Sequence, residues 1–157
     1  MVSTEVMNNE LKTAKTWDDV KKIIKNNPVP TFGQKFEEIC QKHKISLPDA
    51  QKKVYREYAI GKTSFYYYFD GRRNPSKEVV IKLGVTIGAT IEEINELLKL
   101  AKQKELYAKS KEDAVIIFAI KNKKMKEDKD LIELDRILAS YKSKMKFYVE
   151  DKESDAL

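Results

Sequence analysis

The sequence predicts an all-α protein. Charged residues make up 36% of its 157 residues, while glycine and proline number only 5 and 4, and this composition is typical of helical rather than strand-rich chains. Apolar residues recur every three or four positions through most of the chain, which is the spacing of one helix face. Serine and threonine residues stand before several of these segments, where N-caps are expected.

An N-terminal helical extension is predicted over residues 1–30. Thr16 and Asp19 have the spacing of a capping box, and an apolar pattern begins directly after them. That pattern consists of Val20, Ile23 and Ile24, and the helix is stopped by Pro28 and Pro30. Trp17 would anchor this arm on the main domain or on a partner, and docking within the chain is the favoured interpretation.

The next region, residues 31–104, is predicted to contain five helices. Apolar residues recur at helical spacing in each of them, and turn or capping residues separate them. The expected limits of the first four are Thr31 to Lys44, Ser46 or Leu47 to about Tyr58, Lys62 to Asp70, and Lys77 to Leu83. Gly84 and Gly88 are expected to interrupt the helical pattern, and the fifth helix follows with Thr90 and Glu93 as its capping box.

A C-terminal helical extension is predicted over residues 105–149, followed by a polar tail over residues 150–157. Residues 114–120 are all apolar, which permits a strand, but two alanines and a Ser-Lys-Glu-Asp lead-in favour a buried helix. A charged break over residues 122–130 then precedes the segment LIELDRILASYKSKMKFY, which is in helical register. Its apolar positions are Leu131, Ile132, Leu134, Ile137, Leu138 and Tyr141.

The stretch from Ala59 to Ser76, AIGKTSFYYYFDGRRNPS, carries the strongest functional pattern. Phe65 and Tyr68 lie three residues apart on one face of a short helix, and Gly71 suits the left-handed conformation that ends helices. Ser76 is a ready N-cap for the next helix. A short helix that is held by two core residues and followed by a basic loop can dock on a scaffold with one side and enter a DNA groove with the other.

This stretch resembles the phage-repressor-like (XRE-type) helix-turn-helix transcriptional regulators. The matching residues are Ala59-Ile60-Gly61 in the turn, Phe65 and Tyr68 on the third helix, and Asp70-Gly71-Arg72-Arg73-Asn74-Pro75-Ser76 after it. The segment KEVVIKLGVTIGATIEEINELLKLA looks like the fourth and fifth helices of the family. ELYAKSKEDAVIIFAI resembles a C-terminal helical extension of one Firmicutes-type subgroup. The resemblance covers about residues 31–140 and implies a five-helix repressor-like domain over residues 31–104.

The chain departs from the family pattern in three places. Ala59 replaces the turn glycine, and the tyrosines 66–68 are bulkier than the usual groove-facing residues. The connection from Ile45 to Ala59 is longer than usual. Anchoring the alignment on the third helix places Gln51 at the start of the second helix, whereas anchoring it on the first helix makes Ser46 the cap. The sequence leaves both registers open.

The resemblance also implies which residues contact DNA. Early positions on the third helix face the major groove in this family, and Gln51 would contact a phosphate or a base. Here the groove-facing positions are Gly61, Lys62, Thr63, Ser64 and Tyr67, and the phosphate-contacting residues after the helix are Arg72 and Arg73. The alternatives are that Lys62 is only a solvated surface lysine and that Tyr66 and Tyr68 pack the core.

Catalytic and metal-binding functions are not expected. The chain has one cysteine, Cys40, and one histidine, His43, whereas a zinc site needs three or four ligands. A core thiol beside a helix-end histidine is therefore the favoured interpretation. We expect no cofactor and no enzymatic activity, because neither a phosphate-binding loop nor a nucleophile–base pair is recognisable. The lone cysteine, the lack of a long apolar run and the polar N-terminus predict a cytoplasmic protein without a membrane segment.

Two functions are compatible with these observations. The first is a sequence-specific, double-stranded-DNA-binding transcriptional regulator that acts as a homodimer. The helices after Lys111 would pair its protomers or bind a protein partner. The second is a protein-interaction module that keeps the fold and binds a partner through its tyrosine-rich helix. Asp70 and the modest net charge of +6 favour the second function, but the family resemblance and the basic loop favour the first.

Overall fold

The computed structural model describes residues 4–150, and these residues form nine α-helices and no strand. The prediction of an all-α fold is therefore confirmed. The helices are α1 (Thr4–Thr13), α2 (Trp17–Asn26), α3 (Phe32–Lys42), α4 (Leu47–Tyr58), α5 (Lys62–Asp70), α6 (Lys77–Thr86), α7 (Ile91–Leu100), α8 (Lys111–Lys121) and α9 (Asp128–Ser140).

The chain divides into two compact units between Pro30 and Thr31. In the first unit, α1 and α2 pack against each other. The capping box predicted for α2 is formed, since the Thr16 hydroxyl accepts from the Asp19 N–H and the Asp19 carboxylate accepts from the Thr16 N–H. Helix α1 was not predicted, because its segment is mostly polar and buries no residue. The Trp17 side chain is 82% exposed.

The second unit, which begins at Thr31, has one continuous hydrophobic core. Helix α3 packs on α5 and α7, α6 packs on α4 and α7, and α8 packs on α7 and α9. Phe36 of α3 meets Phe65 of α5 edge to face, with 5.8 Å between the ring centroids. Phe147, which follows α9, is fully buried in the same core. The C-terminal helices thus share their apolar contacts with α3 to α7.

The helix ends of this unit are set by local hydrogen bonds. Thr31 and Thr90 form capping boxes with Gln34 and Glu93, and serine side chains cap α4, α6 and α8. Several C-terminal ends use a non-glycine residue with positive φ, which lets the next N–H bond back to the helix. The lysines that adopt this conformation are Lys44, Lys102, Lys123 and Lys142.

Three expectations about helix limits and faces need correction. Gly84 does not end its helix, because α6 continues to Thr86. A Cβ at Gly84 would lie 2.6 Å from Cγ1 of Ile94, so this glycine permits the close approach of α6 and α7. Helix α9 ends at Ser140 and does not continue through the rest of its predicted segment. The helix expected over residues 114–120 is present within α8, but its Phe118 side chain is 59% exposed rather than buried.

The predicted polar tail, residues 150–157, lies almost wholly outside the described residues. Within residues 4–150, the longest helix is α9 with 13 residues, and a bilayer-spanning helix needs about 20 apolar residues. Each helix of this range is too short or too polar to cross a membrane.

Candidate nucleic-acid interface

The start of α4 decides between the two registers that the sequence leaves open. The Ser46 hydroxyl accepts a hydrogen bond from the Asp49 N–H at 3.2 Å, and Pro48 occupies the first turn of the helix, where its missing N–H costs nothing. Gln51 therefore lies in the second turn rather than at the start of the helix. Its side chain is half-buried, and the DNA contact that the family resemblance implies for it stays a prediction.

A tight turn connects α4 to α5. Ala59 ends α4 in the left-handed conformation, with φ of 57°, so it adopts the geometry that a glycine would provide more easily. Gly61 is the N-cap of α5 and contributes no side-chain hydrogen bond. The backbone N–H groups of the first turn of α5 consequently have no side-chain cap. Such an uncapped N-terminus is suited to contact an anion such as a DNA phosphate.

The inner side of α5 fixes the helix on α3. Phe65 is 2% exposed, and its ring meets that of Tyr66 edge to face at 5.1 Å between centroids. Tyr66, Tyr68 and Phe69 also pack against the core while remaining partly exposed. A Cβ at Gly33 of α3 would lie 2.0 Å from the Phe69 carbonyl oxygen, so the backbones of α3 and α5 are in close contact there. The prediction that Phe65 and Tyr68 hold the helix is consistent with this packing.

The outer side of α5 carries the predicted DNA-contacting side chains. Lys62 and Thr63 are exposed, and within residues 4–150 neither side chain forms a hydrogen bond or an ion pair. Arg73 Nη1 donates to the Ser64 hydroxyl at 3.1 Å, and its guanidinium lies 5.6 Å from the centroid of the Tyr67 ring. The structure thus joins Ser64, Tyr67 and Arg73 in one cluster beside an open first turn. Gln51 is not hydrogen-bonded to this cluster.

Arg72 is held differently from Arg73. Its Nε atom pairs with the Asp70 carboxylate at 3.2 Å, and both side chains are well exposed. The Arg72 backbone N–H also donates to Asp70, at 3.1 Å, and the guanidinium lies 5.3 Å from the Tyr67 centroid. The Asp70 charge therefore offsets part of the positive charge of this loop, while Arg73 has no acidic partner among the described residues.

The loop after α5 is anchored by two residues to which the sequence assigned no role. Asn74 Nδ2 donates to the Ala101 carbonyl at 2.9 Å, and Gln103 Nε2 donates to the Pro75 carbonyl at 3.0 Å. These bonds tie the arginine-bearing loop to the C-terminal end of α7. Asn74 belongs to the matched motif, but Gln103 lies 28 residues from its acceptor, so no local pattern could have indicated the contact.

The single cysteine and histidine lie outside this cluster. Cys40 is 1% exposed, and burial raises the pKa of its thiol to about 12. His43 Nε2 lies 2.8 Å from a carboxylate oxygen of Glu93. Among residues 4–150, no three His, Cys, Asp or Glu side chains come together in a metal-binding group.

Comparison of the chain with protein-family models, with curated proteins and with solved structures finds no match.

Proposed function

We propose that this protein is a sequence-specific, double-stranded-DNA-binding transcriptional regulator that reads the major groove with helix 62–70. In this proposal α4 and α5 form the helix-turn-helix of a five-helix, repressor-like domain over residues 31–104. The observation that carries the proposal is the two-sided character of α5. Its inner side is fixed on α3, while Lys62 and Thr63 on its first turn are exposed and unpaired within the described residues.

Each side chain on the outer face of α5 has chemistry suited to DNA. Lys62 can donate to the O6 and N7 acceptors of guanine or to a phosphate, and the Thr63 hydroxyl can bond a base edge or the backbone. Each good base contact contributes about 1–3 kcal/mol of discrimination. These two residues are the proposed base readers, because the first turn of a recognition helix is the part that enters the groove.

In this proposal Arg72 and Arg73 contact phosphates, and the Tyr67 ring lies beside both guanidinium groups. Ser64 and the Tyr67 ring restrain the Arg73 guanidinium before DNA arrives, which lowers the entropy cost of the contact. Arg72 contributes less, because Asp70 already pairs with it. Gln51 also has a smaller part, since it is half-buried one turn inside α4.

A homodimer is proposed because one helix-turn-helix reads few base pairs and two-fold operators match two-fold proteins. The C-terminal helices offer apolar side chains for such pairing. Phe118 of α8 is 59% exposed, and Ile132 and Tyr141 of α9 and its C-cap are about half exposed. The same side chains would serve a protein partner equally well.

Two observations favour the alternative, a protein-interaction module. The Asp70–Arg72 ion pair lowers the positive charge beside α5, and an acidic group close to a phosphate opposes DNA binding. Partly exposed tyrosines on the same helix are typical of protein-binding surfaces. The two proposals differ in what the Asp70→Asn substitution should do.

Fluorescence anisotropy with a pool of random duplexes tests the DNA proposal. We expect binding at low salt that falls steeply as salt rises, because each neutralised phosphate contributes about −0.9 to the slope of log K against log salt. The triple variant Lys62→Ala, Arg72→Ala, Arg73→Ala should bind more weakly and reduce the steepness of that slope by about 2 to 3. Asp70→Asn should bind more tightly, since it removes a negative charge and frees Arg72.

A variant with the same loss of charge elsewhere provides the control. Lys121→Ala, Lys124→Ala, Lys144→Ala alters three exposed lysines at the end of α8 and beyond α9, and we expect nearly wild-type binding and slope. Equal losses in the two triple variants would show that binding depends only on net charge. No binding by the wild type at low salt would overturn the DNA proposal and favour a protein partner.

A further inference from the structure

A cavity of about 360 Å³ lies between the α6–α7 junction and the end of α8. Its wall is mostly apolar, with two lysines at the edge. The lining residues are Val85, Gly88, Ala89, Ile120, Met125, Lys123 and Lys126. Its volume is within the range of small-molecule sites, which combine an apolar wall with a few polar groups.

The charges around this cavity favour an anion. Lys123 and Lys126 are exposed, and within residues 4–150 neither forms an ion pair with a carboxylate. No acidic side chain lines the cavity. The C-terminal ends of α6 and α8 each add a partial charge of about −0.5, and the N-terminus of α7 adds about +0.5. Two full lysine charges exceed the sum of these partial charges, so the lining residues and the helix ends together carry a net positive charge.

The backbone holds one of the two lysines in a restricted conformation. Lys123 has φ of 54°, a left-handed conformation that non-glycine residues seldom adopt. The next N–H, that of Lys124, bonds back to the Ala119 carbonyl at 2.9 Å. The position of the Lys123 side chain at the end of α8 therefore depends on a defined helix-ending turn.

We propose that this cavity binds a small organic anion with an apolar body, such as a medium-chain carboxylate. The apolar part of the ligand would contact Val85, Ile120 and Met125, and its carboxylate would lie between Lys123 and Lys126. This site is independent of the proposed DNA-binding role, since none of its residues belongs to α5 or to the loop after it.

Octanoate is a suitable probe, and the methyl group of Met125 is a suitable reporter, because it is 1% exposed and lines the cavity. We expect a saturable shift of the Met125 signal in methyl NMR of the full chain, with Met7 and Met145 as internal references. The Met125→Leu variant assigns the signal. Hexanoate should bind roughly tenfold more weakly than octanoate, because it buries two fewer methylene groups.

Two comparisons test the role of the charges. The Lys123→Gln, Lys126→Gln variant should bind octanoate roughly three- to tenfold more weakly, as expected for the loss of two exposed ion pairs. The matched control Lys121→Gln, Lys124→Gln changes exposed lysines that do not line the cavity and should bind as the wild type does. Octanol, which has the same chain without the charge, should bind more weakly than octanoate.

Three results would overturn the proposal. The first is no shift of the Met125 signal at millimolar octanoate. The second is binding of octanol as tight as that of octanoate. The third is unchanged affinity in the Lys123→Gln, Lys126→Gln variant. Because the NMR assay contains no DNA, its outcome is separate from that of the anisotropy experiment.

Discussion

Glu93 carries a pH-dependent part of the stability. Its side chain is 8% exposed, and its carboxylate accepts from the Thr90 N–H at 2.9 Å, from His43 Nε2 at 2.8 Å and from Lys42 Nζ at 3.2 Å. Burial alone would raise the pKa of this carboxyl, but the three donors outweigh burial and lower its pKa from 4.5 to about 2. We expect that Glu93→Gln removes this contribution.

The sign and the size of this contribution to stability follow from the difference between the folded-state and the unfolded-state pKa of Glu93. Because the folded-state pKa is lowered, the contribution is fully present above pH 4.5 and is lost as the pH falls through about 2. The difference between these two values corresponds to roughly 3 kcal/mol in the free energy of unfolding. The wild type should therefore be more stable than Glu93→Gln by about 2–3 kcal/mol at pH 7, and the two stabilities should converge near pH 2.

Urea unfolding followed by circular dichroism between pH 2 and pH 7 measures both curves. Glu92→Gln is a matched control on the same turn of α7, because the Glu92 side chain is exposed and forms no hydrogen bond or ion pair within residues 4–150. The stability curve of this variant should stay close to that of the wild type. Parallel curves for wild type and Glu93→Gln, with a constant gap at every pH, would refute the assignment of the pH dependence to this carboxylate.

Three further substitutions test the packing, and thermal or urea unfolding measures each of them. Gly84→Ala should lower the free energy of unfolding by about 1–2 kcal/mol, because its new Cβ would lie 2.6 Å from Ile94. The cost of this overpacking exceeds the gain in helix propensity. A more stable variant would contradict the close approach of α6 and α7. Ala59→Gly should raise the free energy of unfolding by up to about 1 kcal/mol. Glycine relieves the backbone strain of an alanine at φ of 57°, and this gain exceeds the cost of the greater freedom of the unfolded chain. A loss of stability would argue against a strained turn. Tyr58→Phe should cost about 1–3 kcal/mol, because it leaves the buried Met125 carbonyl without its donor, and an unchanged midpoint would show that water replaces the hydroxyl.

Local chemistry makes the all-α class and several helix ends predictable. The capping residues Thr16, Thr31, Ser76 and Thr90 act over three residues and are visible in the sequence, and all four cap as expected. Gly71 is also recognisable in the sequence as a helix end, and it ends α5 in the left-handed conformation with φ of 85°. Such motifs are satisfied within one turn, so they do not depend on what packs nearby.

Features that depend on distant neighbours were missed. Gly84 looked like a helix end because glycine is a poor helix former, but its role is set by Ile94 on another helix. The sequence leaves the register of α4 open because both Ser46 and the residues near Gln51 suit a helix start. In the structure the Ser46 cap sets the start, and Ala50, Val54 and Tyr58 then face the core. The restraint of Arg73 by Ser64 and Tyr67 likewise depends on side-chain placement after the turn.

The hydrogen bond from the Tyr58 hydroxyl to the Met125 carbonyl, at 2.5 Å, spans 67 residues of sequence. Chains leave the ribosome N-terminus first, so α4 and α5 are complete well before residue 125 is made. A growing chain that ends before residue 125 lacks the Met125 carbonyl, so the Tyr58 hydroxyl at the end of α4 must use another acceptor, such as water, until that carbonyl is made. Under the proposed function, products of premature termination before residue 125 would hold α5 less firmly than the full chain does, and they would compete poorly with it for an operator.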